Sequence, residues 1–229
     1  DLKGGVELGK YKGLHSKIHL VDHYDDLLEL FQQIFTQMED RLKHMKQNGL
    51  TLFDGPHLCI ICDEFAQIAQ YPAITKEEKD NKLQLQSYLN RISMLGRAPK
   101  VNLFLQLQKA TVQNIDSGLR NNIATKICFK VHSNSDAATV FGNTEDLPAI
   151  ASLGGFKNLQ KGRYILSDDI SGEDSYMQSS YVAPDFPLAR LLQTADDARA
   201  VSEAQVDEQE SEAERTHVSK GERLSKENL

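Results

Sequence analysis

Apolar residues recur every three or four positions between residues 24 and 46, which is the spacing of a helix with one buried face. Asp22 is a suitable cap for its start, and Asn48 followed by Gly49 provides a stop. The pattern predicts a long amphipathic helix whose stripe packs into the core and is not a cofactor site. The apolar positions are Leu27, Leu28, Phe31, Ile34, Phe35, Met38, Leu42 and Met45.

Shorter apolar runs bounded by turn residues predict strands at 57–62, 101–107, 124–131, 163–166 and 176–182. Helices are predicted at 64–70, 83–95, 116–122 and 133–141, the last with Ser133 as its cap and Gly142 as its stop. Residues 72–81 are charged and lack an apolar period, so a loop is expected there. Strands that alternate with helices predict an α/β domain with a largely parallel sheet flanked by helices.

The 229 residues suffice for one α/β domain, and 40% apolar with 26% charged residues is ordinary for a globular protein. No run of about 18 apolar residues occurs, so no membrane span is expected in this stretch. The net charge is −7, of which residues 193–229 contribute −5. We assign residues 1–187 to the domain and 188–229 to an acidic tail expected to be disordered. The nearly balanced body lacks the basic surface of a protein held on DNA by charge alone.

Two adjacent carboxylates, Asp63 and Glu64, follow the strand predicted at 57–62. A buried strand that ends in such a pair is typical of a Walker B motif. The first carboxylate can hold Mg²⁺ through water, and the second can orient or deprotonate the water that attacks a γ-phosphate. The alternative is a strand that simply ends in a solvated acidic turn.

Gln108 follows the strand predicted at 101–107, the next strand along the chain. An amide at the end of the strand beside a Walker B strand is suited to sense a γ-phosphate, because it can bond both the attacking water and a phosphate oxygen. A plain surface glutamine is the alternative interpretation.

The stretch from Gly4 to Lys10 fits G-x-x-x-x-G-K, the first seven positions of a phosphate-binding P-loop. The eighth position is Tyr11, where a Ser or Thr hydroxyl is needed for Mg²⁺. Gly13 interrupts the helix whose N-terminus should receive the phosphates. We therefore do not expect this stretch to be a working Walker A loop.

Two further patterns have the spacing of metal ligands. Cys59 and Cys62 are three positions apart, but on a strand their side chains point to opposite faces, so both are expected to be structural. His15, His19 and His23 are four apart, but the apolar residues between them favour extended chain over a ligand-bearing helix.

The order and spacing of several short motifs resemble the FtsK/SpoIIIE family of RecA-like DNA translocases. Residues 1–8 (DLKGGVEL) are similar to the D-x-K-G-x-E-L stretch after the family's second strand, and residues 62–66 (CDEFA) to its D-E-x-A element. Residues 95–105 resemble its R-A-x-G-I-H-L entry into the sensor strand, and residues 108–111 stand where the family has Q-R-P-S. Residues 118–131 match its G-L-I-K-A-N-x-P-x-R-I-A-F-x-V segment. The ordered match covers about residues 1–168.

This resemblance implies a RecA-like P-loop NTPase core, incomplete at its N-terminus, that uses ATP and Mg²⁺. It implies catalytic roles for Asp63, Glu64 and Gln108, with Asp63 at the magnesium and Gln108 at the nucleotide.

The resemblance also implies that a basic residue acts across a subunit boundary, for which Arg97, Arg120 and Lys126 are the candidates. Lys109 and Lys126 stand where the family has Arg. A Lys supplies charge at such a position without the bidentate guanidinium.

The resemblance implies that the complete protein is an ATPase. It would form a homo-oligomeric, hexameric ring and pump double-stranded DNA in segregation or conjugative transfer. An acidic tail stands where chromosome-segregation relatives carry a winged-helix module, which favours the conjugative relatives. The charged loop expected at 72–81 would face the pore or a subunit boundary. The protein is expected at the cytoplasmic face, attached to the membrane through segments outside this chain.

Two other functions remain open. One is a catalytically degenerate coupling or assembly subunit that recruits protein partners through the acidic tail, favoured by the poor P-loop match. The other is a motor of the same family that secretes protein. Because phosphoryl transfer depends on a phosphate-cradling loop, this chain alone is expected to be inactive, with the Walker A segment located upstream.

Overall fold

The computed structural model describes residues 1–13, 17–142, 155–168 and 172–183, which contain both helices and strands. The tail expected at 188–229 and its boundary at 187 lie outside the described residues. The helices are α1 (Asp25–Asn48), α2 (Ala66–Ala69), α3 (Lys76–Leu95), α4 (Ser117–Asn122) and α5 (Asn134–Phe141). The strands are β1 (Leu58–Cys62), β2 (Val101–Leu105), β3 (Thr125–Phe129), β4 (Arg163–Asp168) and β5 (Glu173–Gln178).

Helix α1 confirms the predicted amphipathic helix. Leu27, Phe31 and Met38 are among its buried residues, and Gly49 ends the helix in the left-handed conformation with φ of 65°. The expected cap at Asp22 is wrong. The helix begins after Tyr24 and has no side-chain cap bond among the described residues, because Asp22 lies two residues before the capping position.

The central feature of the fold is the parallel pair of β1 and β2, in register from Leu58 opposite Val101 to Cys62 opposite Leu105. Helices α1 and α3 cover one face of this pair, where Ile60, Val101 and Leu89 are buried in one core. The predicted α/β class and the parallel arrangement are confirmed here. Since both strands run the same way, the residues after β1 and those after β2 meet at one edge.

Strands β3, β4 and β5 form a separate antiparallel sheet, in the order β3-β4-β5. The alternation of elements did not predict this. Its physical reason is visible between β4 and β5, where residues 169–172 are enough for a hairpin but far too few for the crossover that parallel strands need. Helix α5 covers one face of this sheet, where Cys128, Ala137 and Ile165 are buried.

The prediction of a loop at 72–81 is wrong from Lys76 onward, because α3 starts at that residue. Thr75 caps this helix: its side chain accepts from the Glu78 backbone N–H at 3.2 Å, and the Glu78 carboxylate accepts from the Thr75 N–H at 2.8 Å. The charged residues 76–80 that suggested a loop occupy the exposed first turns of the helix. The other caps are as expected, with Ser133 capping α5.

Arg41 fixes the other edge of the parallel pair, where both strands begin. It is buried on α1, and its Nη1 donates to the carbonyl oxygens of Pro56 at 3.0 Å and Pro99 at 2.9 Å. Its guanidinium carbon lies 4.6 Å from the centre of the Phe53 ring. One α1 side chain therefore holds the chain entering β1 and the chain entering β2.

Candidate functional site

Asp63 lies directly after β1, at the edge where both parallel strands end. Its Oδ2 atom is buried and has no hydrogen-bond partner among the described residues. A buried carboxylate oxygen is normally satisfied, so an orphan oxygen at this place fits a hard cation or a cation-bound water. The donor chemistry at Asp63 therefore suits Mg²⁺.

Glu64 is held in an unusual backbone conformation. Its φ is 50°, in the left-handed region that non-glycine residues rarely adopt, and the residue is only 9% exposed. Its Oε2 atom accepts a hydrogen bond from the backbone N–H of Gln108 at 3.2 Å. Backbone strain of this kind persists where the surrounding structure enforces it and is concentrated at functional sites.

The ends of β1 and β2 are joined beyond the strands themselves. The Gln106 N–H donates to the Cys62 carbonyl at 3.0 Å, and the Phe65 N–H donates to the Gln106 carbonyl at 2.7 Å. These bonds bring the segment with Asp63 and Glu64 alongside the segment that leads to Gln108. The structure therefore places these three predicted site residues at one edge.

A groove of about 210 Å³ opens between β2 and β3. Gln108, Arg120 and Lys126 all line it, so three of the predicted site residues share this space. Arg120 is already engaged there, because its Nη1 donates to the Thr139 carbonyl at 3.1 Å. The rest of the lining is mainly apolar and includes Leu105, Leu107, Ile123, Ile127 and Val131.

Arg97 lies apart from the other predicted residues. It is exposed and belongs to the turn between α3 and β2, at the edge where the parallel strands begin. A five-residue strand separates that edge from Asp63 by roughly 13 Å, at about 3.3 Å per residue. Arg97 therefore does not join the carboxylates within one chain.

The stretch from Gly4 to Lys10 does not have P-loop geometry. A three-residue 3₁₀ helix, Gly9–Tyr11, stands where a P-loop would be followed by an α-helix. The Asp1 carboxylate accepts from the backbone N–H groups of Glu7 at 2.9 Å and Leu8 at 2.8 Å. The amides that would cradle a phosphate thus already bind a carboxylate of the same chain.

The two metal-like patterns are also placed. Cys59 is exposed and Cys62 is buried, as expected for opposite faces of β1, and burial raises the pKa of the Cys62 thiol to about 12. His15 lies outside the described residues, while His19 and His23 lie in irregular chain before α1. No three His, Cys, Asp or Glu side chains in the described ranges are arranged to share a metal ion.

None of the helices described is long and apolar enough to cross a membrane.

Sequence reasoning missed two polar residues near the site, Gln70 and Asn114. Their side chains are hydrogen-bonded to each other across 44 positions of sequence. Neither belongs to a recognisable motif, and a contact over that distance leaves no periodic signal. Nothing short of the tertiary structure could have identified this pair.

Comparison with known proteins finds bacterial DNA translocases among the sequence relatives of this chain. The chain is 22% identical to the DNA translocase FtsK of Staphylococcus aureus strain Mu50 over 228 residues, covering 84% of this chain and 28% of that protein. It is 27% identical to FtsK of Borreliella burgdorferi over 136 residues, covering 56% of this chain and 16% of the relative. The DNA translocase SpoIIIE of Bacillus subtilis is 23% identical over 164 residues, covering 62% of this chain and 20% of SpoIIIE. No family model matches the chain.

Solved structures share the fold. The pCW3 conjugation coupling protein TcpA, in a monomer form with ATPγS, matches with a TM-score of 0.71 at 20% identity, covering 86% of this chain and 55% of that one. The ATPase 2 and 3 region of EssC from Geobacillus thermodenitrificans matches with a TM-score of 0.52 at 14% identity, covering 80% of this chain and 33% of the EssC chain. The chain thus spans about a quarter of the first sequence relative and about half of the first structural neighbour. The FtsK and SpoIIIE sequence relatives, together with the fold shared with the TcpA coupling protein, support the resemblance of this chain to an FtsK/SpoIIIE-type motor domain.

Proposed function

We propose that the complete protein is an ATP-driven motor that moves double-stranded DNA, as a segregation translocase or a conjugative coupling ATPase. The observation that carries this proposal is the contact between the Glu64 carboxylate and the Gln108 backbone, beside the orphan oxygen of Asp63. The names of the sequence relatives, and the coupling protein among the structural neighbours, support DNA as the cargo.

The three residues at the edge of the parallel pair have separate roles in this proposal. Mg²⁺, when bound, supplies positive charge that neutralises the phosphates. Asp63, whose Oδ2 atom is buried without a partner among the described residues, would hold that ion through water. Glu64 orients the attacking water or takes its proton, and the Gln108 side chain, which is exposed, donates to the γ-phosphate or accepts from the water.

A basic residue from a neighbouring subunit completes the site in a homo-oligomeric, hexameric ring. Arg97 suits this role best, because it is exposed and far from the carboxylates of its own chain. Arg120 is held by the Thr139 carbonyl within its own chain, and Lys126 lines the groove beside Gln108. A guanidinium offers a bidentate contact to phosphate that Lys126 lacks.

The phosphate-cradling loop is proposed to come from another part of the protein. Among the described strands, β2 is paired on one side only, with β1, and β3 is paired on one side only, with β4. The groove lies between the unpaired sides of β2 and β3. A further strand in this groove would form backbone hydrogen bonds with both β2 and β3 and would end beside Gln108. Its following loop would then face the Asp63 and Glu64 carboxylates.

A second candidate is a catalytically degenerate subunit that recruits partners through the acidic tail. The bonds from the Glu7 and Leu8 amides to the Asp1 carboxylate favour it, because they occupy the one stretch with a P-loop pattern. Deletion of residues 193–229 would then abolish partner capture and leave the fold intact, whereas a motor keeps its DNA-stimulated ATP hydrolysis without the tail.

The test is the Glu64→Gln variant of the full-length protein, assayed for nucleotide binding and for DNA-stimulated ATP hydrolysis. Turnover should fall by about 100-fold or more while binding persists, since the amide keeps the shape of Glu64 but cannot take a proton. The matched control is Glu77→Gln, an exposed carboxylate on α3. Unchanged hydrolysis in Glu64→Gln would reject the catalytic assignment. Hydrolysis that DNA does not stimulate would favour protein as the cargo, and absent hydrolysis would favour the degenerate subunit.

A further inference from the structure

Two side-chain hydrogen bonds connect the segment after β1 to the segment after β2. Asn114 is buried at 7% exposure, and its Nδ2 donates to the Lys109 carbonyl at 2.7 Å. Its Oδ1 accepts from the side-chain Nε2 of Gln70. Gln70 follows α2, which begins two residues after Glu64, and Lys109 is the residue next to Gln108.

The connection matters because the direct contact between Glu64 and Gln108 is a single hydrogen bond. The Gln108 N–H reaches the Glu64 carboxylate at 3.2 Å, toward the long end of the normal range. Glu64 also sits at φ of 50°, a conformation that relaxes unless its surroundings enforce it. The backbone bonds through Gln106 join the two segments before Gln108, and the link through Asn114 joins them one residue beyond it, so Gln108 is held from both sides.

Asn114 is itself firmly placed. Its backbone N–H and that of Ile115 both donate to the Thr111 carbonyl, at 2.9 and 3.0 Å, which folds residues 111–115 into a tight turn. Ile115 and Leu119 anchor the chain that follows in the core. A buried amide with both of its polar atoms bonded is costly to disturb, because breaking either bond leaves a buried group unsatisfied.

We infer that Asn114 is a positioning residue that, together with Gln70, fixes the backbone of Gln108 against the carboxylate of Glu64. In this role Asn114 acts through its bond to the Lys109 carbonyl. Its effect on catalysis rests on the proposed ATPase function, but its effect on the Gln108 backbone does not.

The test uses the full-length protein with Asn114→Leu, which has a similar side-chain shape and no polar atoms. Amide hydrogen exchange over residues 106–110 reports whether Gln108 keeps its bond to Glu64. We expect faster exchange there in Asn114→Leu. Gln113→Ala, which removes an exposed amide from the same turn, should leave the exchange unchanged.

The kinetic arm separates positioning from folding. The kcat for ATP should fall by about 10- to 100-fold, as a displaced catalytic group predicts, while KM stays within about threefold. Gln70→Ala, at an exposed position, should produce a smaller effect in the same direction. Adding it to Asn114→Leu should have no further effect, because both act through one link.

Exchange over 106–110 that is unchanged in folded Asn114→Leu would overturn the inference, whatever the kinetics. If Asn114→Leu does not fold, Gln70→Ala decides the question by the same exchange measurement. If the unmodified protein hydrolyses no ATP, the proposed function fails, and the exchange result alone confirms or rejects the positioning role.

Discussion

The carboxylate of Glu64 and the backbone N–H of Gln108 are joined by a hydrogen bond of 3.2 Å, which leaves the Gln108 side chain out of the contact. That side chain is exposed and lines the groove between β2 and β3. Gln108 thus has two separable parts, a backbone that holds Glu64 and an exposed side-chain amide. A substitution at Gln108 can remove the side-chain amide and keep the backbone bond to Glu64.

Gln108→Ala should therefore leave the fold intact and impair turnover. The backbone bond to Glu64 remains, and an exposed side chain is lost, so the free energy of unfolding should change by less than about 0.5 kcal/mol. If the amide contacts the attacking water or a phosphate oxygen, kcat for ATP should fall by about 100-fold. Steady-state kinetics and chemical denaturation of the full-length protein measure the two effects.

The matched control is Gln106→Ala, since Gln106 is also exposed and its backbone also bonds across to the β1 segment. Its kcat should remain near that of the unmodified protein. No loss of kcat in Gln108→Ala would mean that Gln108 is a plain surface residue, and equal losses in both variants would mean that the effect is not specific to the Gln108 amide.

Local patterns in the sequence were enough for the elements and for part of the site. The stripe from Leu27 to Met45 predicted α1, and an apolar run ending in two carboxylates placed Asp63 and Glu64 after β1. The capping box of Thr75 and Glu78 was also readable as Thr-x-x-Glu, but the charges of residues 76–80 obscured it. A solvated helix turn and a loop have similar composition, so charge alone could not distinguish them.

Long-range relationships could not be predicted in the same way. Arg41 looked like a residue of the polar face of α1, but it binds carbonyls 15 and 58 positions away. The bond between Gln70 and Asn114 and the left-handed backbone of Glu64 depend on how separate elements pack. Such features follow from tertiary structure and leave no periodic signal in the chain.

Arg41→Met should lower the free energy of unfolding by roughly 2–4 kcal/mol. Methionine can fill the buried space, but the carbonyls of Pro56 and Pro99 lose their donor, and the bond to Pro99 is buried. Urea denaturation of the full-length protein should show a lower midpoint. Lys43→Met, an exposed change on the same helix, is the control and should shift the midpoint little. A similar shift in both variants would contradict the clamping role of Arg41.

The three cysteines should differ in reactivity. Burial raises the pKa of Cys62 to about 12 and that of Cys128 to about 11, so at pH 8 both remain thiols and are shielded from reagents. Cys59 is exposed on the other face of β1. Iodoacetamide at pH 8 followed by peptide mass analysis should show modification of Cys59 well ahead of the other two. In urea all three should react, and equal rates in the folded protein would contradict the burial of Cys62 and Cys128.

The start of α3 should depend on pH through Glu78. The backbone N–H groups of Thr75 and Ile74 donate to its carboxylate and hold the pKa below its ordinary value of 4.5. A lowered folded-state pKa means that the stabilisation is fully present above pH 4.5 and is lost as the pH falls through the folded-state value. Below that pH the capping box opens, and the first turn of α3 should fray.

Amide resonances report this directly, because the Ile74 and Thr75 N–H groups lose their acceptor when Glu78 is protonated. Both should titrate together with a midpoint below 4.5. Glu78→Gln should abolish the titration, whereas Glu77→Gln, which lies beside it on the same turn, should preserve it. A midpoint at or above 4.5 would mean that the carboxylate is solvated and does not cap the helix. In that case the stability of the first turn would have to come from the Thr75 hydroxyl alone.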